Sequence, residues 1–263
     1  IKDKILRVCS SHAMLDDPLR ILRGIRLVFQ FGLKVDPETL RLMKAASMGL
    51  KNISGERIRD ELFKMLVGPQ ASTAVRLLDQ IGALVHILPE LVLLKGVSQS
   101  PPHTLDVWEH TLLAVKELRR LLNLLADTYE EDGKGNLLDG MASLQFGRFR
   151  RQLMEHFNQK ITTGRDRRAL LYFAGLYHDC GKVDVRQIDS NDGRVHYYNH
   201  EVYSAEKLTK RAKRLVLSNE EVKFLNLLVT HHMRFHHLVK LNDELNRRTI
   251  YRYFRDLGPA GVD

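Results

Sequence analysis

The residues best equipped for chemistry in this chain are its histidines. Twelve occur, and the informative ones are His110, the adjacent pair His178-Asp179, His200 and the adjacent pair His231-His232. Neutral imidazole and carboxylate together are the preferred ligands of borderline divalent ions such as Mn²⁺, Fe²⁺, Co²⁺, Ni²⁺ or Zn²⁺. Any one histidine taken singly is more often a satisfied core or surface residue than a ligand. The block Gly175-Leu176-Tyr177-His178-Asp179-Cys180-Gly181-Lys182 reads otherwise. A His-Asp pair at the end of an apolar helix can aim two ligands at one ion while distant helices supply the rest. Gly181 then allows a tight turn, and Lys182 brings a cation for a phosphate. His178, Asp179 and Lys182 are the candidate catalytic residues. The candidate metal ligands are His110, His178, Asp179, His200, His231 and His232.

A second constellation opens the chain. In Leu15-Asp16-Asp17-Pro18-Leu19-Arg20-Ile21-Leu22-Arg23-Gly24-Ile25-Arg26 three arginines follow one another at a spacing of three, behind two carboxylates. Those carboxylates sit at the positive end of the helix that the arginines partly circle. A well-capped surface helix with a solvated basic stripe is the structural alternative. Further on, Ile53-Ser54-Gly55-Glu56-Arg57-Ile58-Arg59-Asp60-Glu61 places Arg57 and Glu61 at i and i+4, able to pair along one helix face. A basic stretch follows at Arg148, Arg150, Arg151, Lys160, Arg165, Arg167 and Arg168. Forty-one Lys+Arg against 32 Asp+Glu give a formal charge of +9 and a pI near 9.6. That balance favours a polyanionic partner, because each neutralised phosphate releases condensed counterions.

Helices must position these groups, since 3.6-residue periodicity dominates the chain. Leu19, Leu22, Ile25 and Phe29 lie on one side of a helix that Asp17-Pro18 starts and Gly32 stops. Asp36-Pro37 caps a second helix to about Ala46, Ser54 opens a third to Leu66, and a fourth spans about Ala71–Ile81. No alternating run makes a convincing strand. Pro89, Gly96 and Ser100-Pro101-Pro102 mark a domain boundary. Beyond it, helices are expected over Leu105–Leu125, Ala169–Tyr177, His200–Leu215, Val222–His232 and Leu245–Leu257. Asp127–Leu138 reads as a polar loop.

With 263 residues, 44% of them hydrophobic and 28% charged, the chain is folded rather than disordered. Two cysteines, Cys9 and Cys180, exclude a disulfide scaffold or a cysteine zinc site. The apolar runs are too short to span a bilayer. Ile1-Lys2-Asp3-Lys4 starts without an initiator Met or a signal segment, like the middle of a longer chain. The expectation is a soluble, cytoplasmic protein with no membrane contact.

The histidine pattern resembles the HD-domain superfamily of metal-dependent phosphohydrolases over about residues 97–263, most specifically in His178-Asp179-Cys180-Gly181-Lys182. The resemblance implies an all-α fold with His110, His178, Asp179 and a final Asp on one metal. It puts His200 and one or both of His231 and His232 on a second, bridged by Asp179. Asp243 and Asp256 lie in the wrong context for the final Asp, which is expected beyond Asp263. The two N-terminal motifs resemble, over about residues 1–80, the neck of the bacterial tRNA nucleotidyltransferase and poly(A) polymerase family. That resemblance implies that Asp16, Asp17 and Arg20 present a Watson–Crick-like edge to an incoming CTP or ATP. Arg57 and Glu61 would brace this surface, completing the nucleotide-binding set. The RNA-binding candidates are Arg23, Arg26, Arg148, Arg150 and Arg151.

The fold class is therefore all-α. A helical neck/RNA-binding domain at 1–95 is followed by an all-α HD domain at 96–263, with a basic insertion at about 127–168. The family's catalytic head, a glycine-serine loop with two carboxylates on a strand, has no counterpart in these residues, and Mg²⁺ is expected only in such a head. Three readings stand. The first is the neck and HD part of a tRNA nucleotidyltransferase that holds tRNA, helps select the nucleotide and hydrolyses a small phosphoester. The second is a free-standing HD phosphohydrolase with a helical accessory domain. The third is a non-catalytic RNA-binding module with a degenerate metal site.

Overall fold

Proline, glycine and capping side chains cut the chain into fifteen helices among the residues that the computed structural model describes, 3–125, 137–162, 164–190, 193–240 and 246–263. The N-terminal part contains α1 (Ala13–Asp16), α2 (Leu19–Phe31), α3 (Pro37–Ala46), α4 (Gly55–Leu66), α5 (Ala71–Gln80), α6 (Leu84–Ile87) and α7 (Pro89–Val92). Helix α2 begins directly after Pro18 and ends at Gly32, whose left-handed φ of 61° needs no Cβ. At the start of α3 the Asp36 carboxylate accepts from the Thr39 amide.

The C-terminal part contains α8 (Val107–Leu124), α9 (Leu137–Gly147), α10 (Arg150–Asn158), α11 (Arg167–Tyr177), α12 (His200–Arg214), α13 (Asn219–His231), α14 (Arg234–Lys240) and α15 (Arg247–Leu257). Caps set where several of these begin. Asp106 accepts from Glu109 at the start of α8, Asp166 from Ala169 at α11 and Asn246 from Thr249 at α15. Ser218 and Glu221 close a reciprocal capping box on α13.

The all-α expectation holds, with one addition. Ile5–Leu6 (β1) pairs parallel with Lys34–Val35 (β2), and Gln187–Ile188 (β3) pairs antiparallel with Val195–His196 (β4). Strands of two residues are too short to leave a period-two signature. Most of the segment read as a polar loop, and Asp243, lie outside the described residues; Leu137 and Leu138 open α9. Among the described residues no helix is long and apolar enough to cross a membrane.

One continuous hydrophobic core runs from Met14, Leu22 and Leu62 to Tyr177, Leu225 and Ala260. Both sides of the expected boundary near residue 95 contribute to it. Phe63 of α4 meets Phe173 of α11 with ring centroids 5.3 Å apart. Gly55 lies so close to the turn after α12 that a Cβ there would fall 2.0 Å from the Arg214 carbonyl oxygen. A polar bolt adds to the apolar contact. Arg211 Nη2 donates to Glu90 Oε1 at 2.8 Å, and the Tyr177 hydroxyl donates to Glu90 Oε2 at 2.9 Å.

The basic stretch is only partly a surface. Arg165 turns inward to Glu221, with Nε 2.5 Å from Oε1, and Arg167 donates to Asp263 Oδ2 at 2.7 Å. The reason is local: Lys160 bridges Asp166, which folds the segment back and aims the next side chains at the core. Arg148 remains exposed over the Phe149 ring, and Arg151 remains exposed beside Glu155. Arg150 is half-buried, its Nε covered and without a partner among the described residues.

Candidate functional site

Asp179 stands at the centre of four imidazoles, although it is only 2% exposed. It follows α11 directly, where the chain turns into the short 3-10 helix Cys180–Val183. Its Oδ2 lies 3.2 Å from His178 Nε2 and 3.5 Å from His110 Nε2. Its Oδ1 lies 3.1 Å from His200 Nε2 and 3.8 Å from His232 Nε2. The carboxylate thus faces one histidine pair with each oxygen. His110 comes from α8, His178 from the end of α11, His200 from the start of α12 and His232 from the end of α13.

Backbone carbonyls three residues upstream fix the tautomers. His178 Nδ1 contacts Gly175 O at 2.8 Å, His200 Nδ1 contacts Tyr197 O at 2.8 Å, and His232 Nδ1 contacts Val229 O at 2.7 Å. An Nδ1–H donated to each carbonyl leaves Nε2 as the lone-pair end, aimed inward. The Nε2 atoms of His178 and His110 are 3.4 Å apart, and those of His200 and His232 are 3.2 Å apart. Lone pairs that face each other at such distances are reconciled by a proton or a shared cation. Burial pushes His110 down to about 4 and His232 down to about 3. Both are neutral near pH 7, the state in which imidazole ligates. Burial raises the Asp179 carboxyl, but its contacts with His178, His200 and Lys182 win and hold it well below the ordinary value. Two sets, His110-His178-Asp179 and Asp179-His200-His232, each bring their ligand atoms within reach of one ion. The arrangement fits a divalent metal.

His231 is left out. Consecutive helical residues point about 100° apart, so when His232 faces Asp179 its neighbour cannot. His231 instead lines a cavity of about 390 Å³ beside the cluster, together with His178, His232, Phe235, Tyr253 and Asp263. Lys182 does reach the site. Its Nζ donates to Asp179 Oδ2 at 2.8 Å and to Gln99 Oε1 at 2.7 Å. Gly181 makes the approach possible, because a Cβ there would fall 2.1 Å from the His200 carbonyl oxygen. Its amide also donates to Ser204 Oγ at 2.7 Å, tying the turn after Asp179 to α12.

Gln99 and Asp263 are the residues that the motif reasoning did not assign. Gln99 sits in the junction before α8, where nothing in its spacing marks a lysine partner. Asp263 lines the cavity with its side chain fully buried, bonded through Oδ2 to His156 and Arg167, while Oδ1 has no partner among the described residues. Asp256 is spent on Arg234 and Arg255 and stays away from the cluster.

The N-terminal motifs assemble differently from the i,i+4 expectation. Arg57 Nη2 reaches back to Asp17 Oδ2 at 2.9 Å, and Glu61 pairs with Arg26 at 2.9 Å and Arg23 at 3.4 Å. Arg57 and Glu61 therefore brace α4 against α2 and do not pair with each other. A buried carboxylate such as Glu61, 5% exposed, needs cations from the facing helix more than one from its own exposed flank. Arg20 donates to the Ala13 carbonyl at 2.9 Å, and Asp16 is exposed. Asp16, Asp17, Arg20 and Arg57 end up at one end of the α2–α4 pair, whereas Arg23 and Arg26 are engaged by Glu61.

Comparison with known proteins agrees with both halves. Residues 32–94 match the family described as the probable RNA and SrmB-binding site of polymerase A, and residues 142–252 match the HD domain family. The chain is 28% identical to the A-adding tRNA nucleotidyltransferase of Deinococcus radiodurans over 238 residues, covering 89% of this chain and 45% of that protein. It is also 28% identical over 261 residues to the CC-adding tRNA nucleotidyltransferase of Thermus thermophilus, covering 97% and 48% respectively. The chain spans about half the length of these relatives. Among solved structures, a tRNA-processing enzyme complex aligns with a TM-score of 0.55 and 16% identity, over 99% of this chain and 52% of the other. The apo form of a CCA-adding enzyme aligns with a TM-score of 0.53 and 17% identity, over 99% and 46%. At such identities these two structures share the fold.

Proposed function

The chain carries the RNA-binding neck of the tRNA nucleotidyltransferase and poly(A) polymerase family followed by an HD domain, and from that pairing we propose two coupled roles. The neck holds tRNA and helps select CTP or ATP as part of a CCA-adding or A-adding enzyme. The HD centre is a metal-dependent phosphohydrolase acting on a small phosphoester, a 2′,3′-cyclic phosphate included. The placement of the protein is cytoplasmic.

At the neck, Asp17 accepts from an exocyclic amine and Arg20 donates to ring or carbonyl acceptors of the incoming base. Arg57, bound to Asp17, keeps that carboxylate oriented. Nucleotide addition itself needs a Mg²⁺-binding head of the kind absent from these residues.

At the HD centre, the observation that carries the reading is the Asp179 carboxylate shared between two histidine pairs. His110, His178 and Asp179 would hold one divalent ion, and Asp179, His200 and His232 a second. Imidazole-rich sets favour Mn²⁺, Fe²⁺, Co²⁺, Ni²⁺ or Zn²⁺ over Mg²⁺. Such an ion supplies a bound water acidic enough to be a nucleophile near neutral pH. Lys182 contributes a fixed positive charge, held by its bonds to Asp179 and Gln99, that would attract a phosphate oxygen.

The test is elemental analysis and hydrolysis of 2′,3′-cyclic AMP, with the double variant His178→Ala plus Asp179→Ala as control. The wild type is expected to carry one or two transition ions per chain and to turn the substrate over. Equal metal content in both proteins would overturn the assignment.

A further inference from the structure

Helix α15 exposes a surface that neither role above uses. Its sequence, Arg247-Arg248-Thr249-Ile250-Tyr251-Arg252-Tyr253-Phe254-Arg255-Asp256-Leu257, interleaves arginines with aromatic rings. Leu257 is its one buried residue and Tyr253 is half-buried. These two, a helical turn apart, seat the helix on the Gly258–Gly261 turn, where the Tyr253 hydroxyl donates to the Gly261 carbonyl at 3.1 Å. On the opposite side Arg248, Tyr251, Arg252 and Arg255 follow the i, i+3, i+4, i+7 spacing and form one stripe. Tyr251 is 66% exposed, and Phe254 is 44% exposed.

Four arginines face a single acid on this helix, and that acid, Asp256, is shared by Arg255 and Arg234. Among the described residues no ion pair occupies Arg247, Arg248 or Arg252. The exposed Tyr251 and Phe254 rings leave much of their surface open to a partner. Rings flanked by unpaired guanidinium groups do suit a partner that offers flat bases and phosphates at short intervals, which is single-stranded nucleic acid. A second copy of the chain fits poorly, because a two-fold contact would set these arginines against their own duplicates. The position of the helix adds a reason. Its inner residues Tyr253 and Leu257 line the same cavity as His178, His232 and the exposed Phe235. Phe254 lies against Gly261, at the same wall.

We propose that α15 is a landing surface for single-stranded RNA, with bases stacked on Tyr251 and phosphates held by Arg248 and Arg252. The strand passes over Phe254 and Phe235 and brings its end to the His178–Asp179 centre. This last step rests on the phosphohydrolase reading and makes an RNA end, more than a free nucleotide, the preferred substrate.

The experiment uses a fluorescein-labelled hexaribonucleotide ending in a 2′,3′-cyclic phosphate, with 2′,3′-cyclic AMP as the small comparator. Proteins compared are the wild type, Arg248→Glu plus Arg252→Glu, and Tyr251→Ala, all altered at exposed positions. The charge reversal is expected to weaken hexamer binding about tenfold or more and to flatten the log–log salt dependence by roughly 1.4, about 0.7 for each lost phosphate contact. The kcat/KM for the hexamer falls in parallel, and that for 2′,3′-cyclic AMP stays at the wild-type value. Unchanged hexamer binding and unchanged hexamer turnover in the variants would overturn the proposal. So would a wild-type dimer in sedimentation that the charge reversal dissolves, since the surface would then join copies of the chain. Hexamer binding that depends on α15, without hydrolysis of either compound by the wild type, would support the surface and overturn only the phosphohydrolase reading.

Discussion

Asp179 matters more than any single histidine because each of its oxygens serves a different pair. In Asp179→Asn one oxygen becomes an amide that repels a cation, so bridging is lost while the shape is kept. Metal content by elemental analysis is expected to fall at least to about a tenth, within the range that losing a ligand or its support produces. His231→Ala provides the contrast: its side chain stands outside the cluster, and metal content should match the wild type. Gly181 is a residue whose absent side chain is the requirement. In Gly181→Ala the new methyl would meet the His200 carbonyl at 2.1 Å, and that atom is backbone and cannot swing away. Overpacking of this kind costs on the order of 1–3 kcal/mol. Urea unfolding should read that loss, and metal content should drop with it, because the displaced carbonyl belongs to His200 of the cluster.

The elements that frame the site carry their own pH dependence. Glu221 is the N3 residue of α13, with its side chain fully buried against Arg165. Burial raises its carboxyl, but Arg165, the Ser218 amide and the Thr162 hydroxyl outweigh this and hold it below 4.5. Glu61, clamped between α2 and α4, behaves alike: burial is outweighed by Arg26, Lys64 and Arg23. A carboxyl lowered on folding stabilises the native state above its unfolded value and loses that contribution as pH falls through the folded one. Stability is therefore expected to be flat near neutrality and to decline as pH drops below about 4.5, the ordinary Glu value. Glu221→Gln keeps the capping-box geometry and should be less stable at pH 7, yet lose less on going from pH 5 to pH 3. Urea melts across that range decide it; parallel curves for the two proteins would contradict the assignment.

At the scale of the whole molecule the neck and the HD part share one hydrophobic core, and Phe63 against Phe173 is its central crossing. Phe63→Ala should cost about 3–5 kcal/mol, typical of a deleted buried aromatic. Denaturant unfolding followed by far-UV circular dichroism and by Trp108 fluorescence should remain a single coincident transition, since Trp108 belongs to the same core. Two separated transitions would show that the halves fold independently. The shared core also fixes the distance between the Asp17–Arg57 end of the α2–α4 pair and the Asp179 cluster.

Several helix starts, the all-α class and the His-Asp pair around which the cluster forms were legible along the chain. Each depends on neighbours within a turn or two: Asp17-Pro18, Asp36-Pro37 and Ser218 signal their own helices, and His178-Asp179 with Gly181 and Lys182 is a local constellation. The choice between His231 and His232 was not legible, because adjacent side chains compete and only the approach of α12 settles which one faces Asp179. Arg57 and Glu61 satisfied the i,i+4 spacing yet found partners just before α2 and on it, and Arg165 and Arg167 belonged by sequence to a basic surface but turned inward to Glu221 and Asp263. Glu61, Arg165 and Arg167 are charges brought near the core, and each takes the partner that removes most of its desolvation cost, dozens of residues away. Local pattern specifies which residues can make an element or a ligand; the packing of elements decides which of them meet.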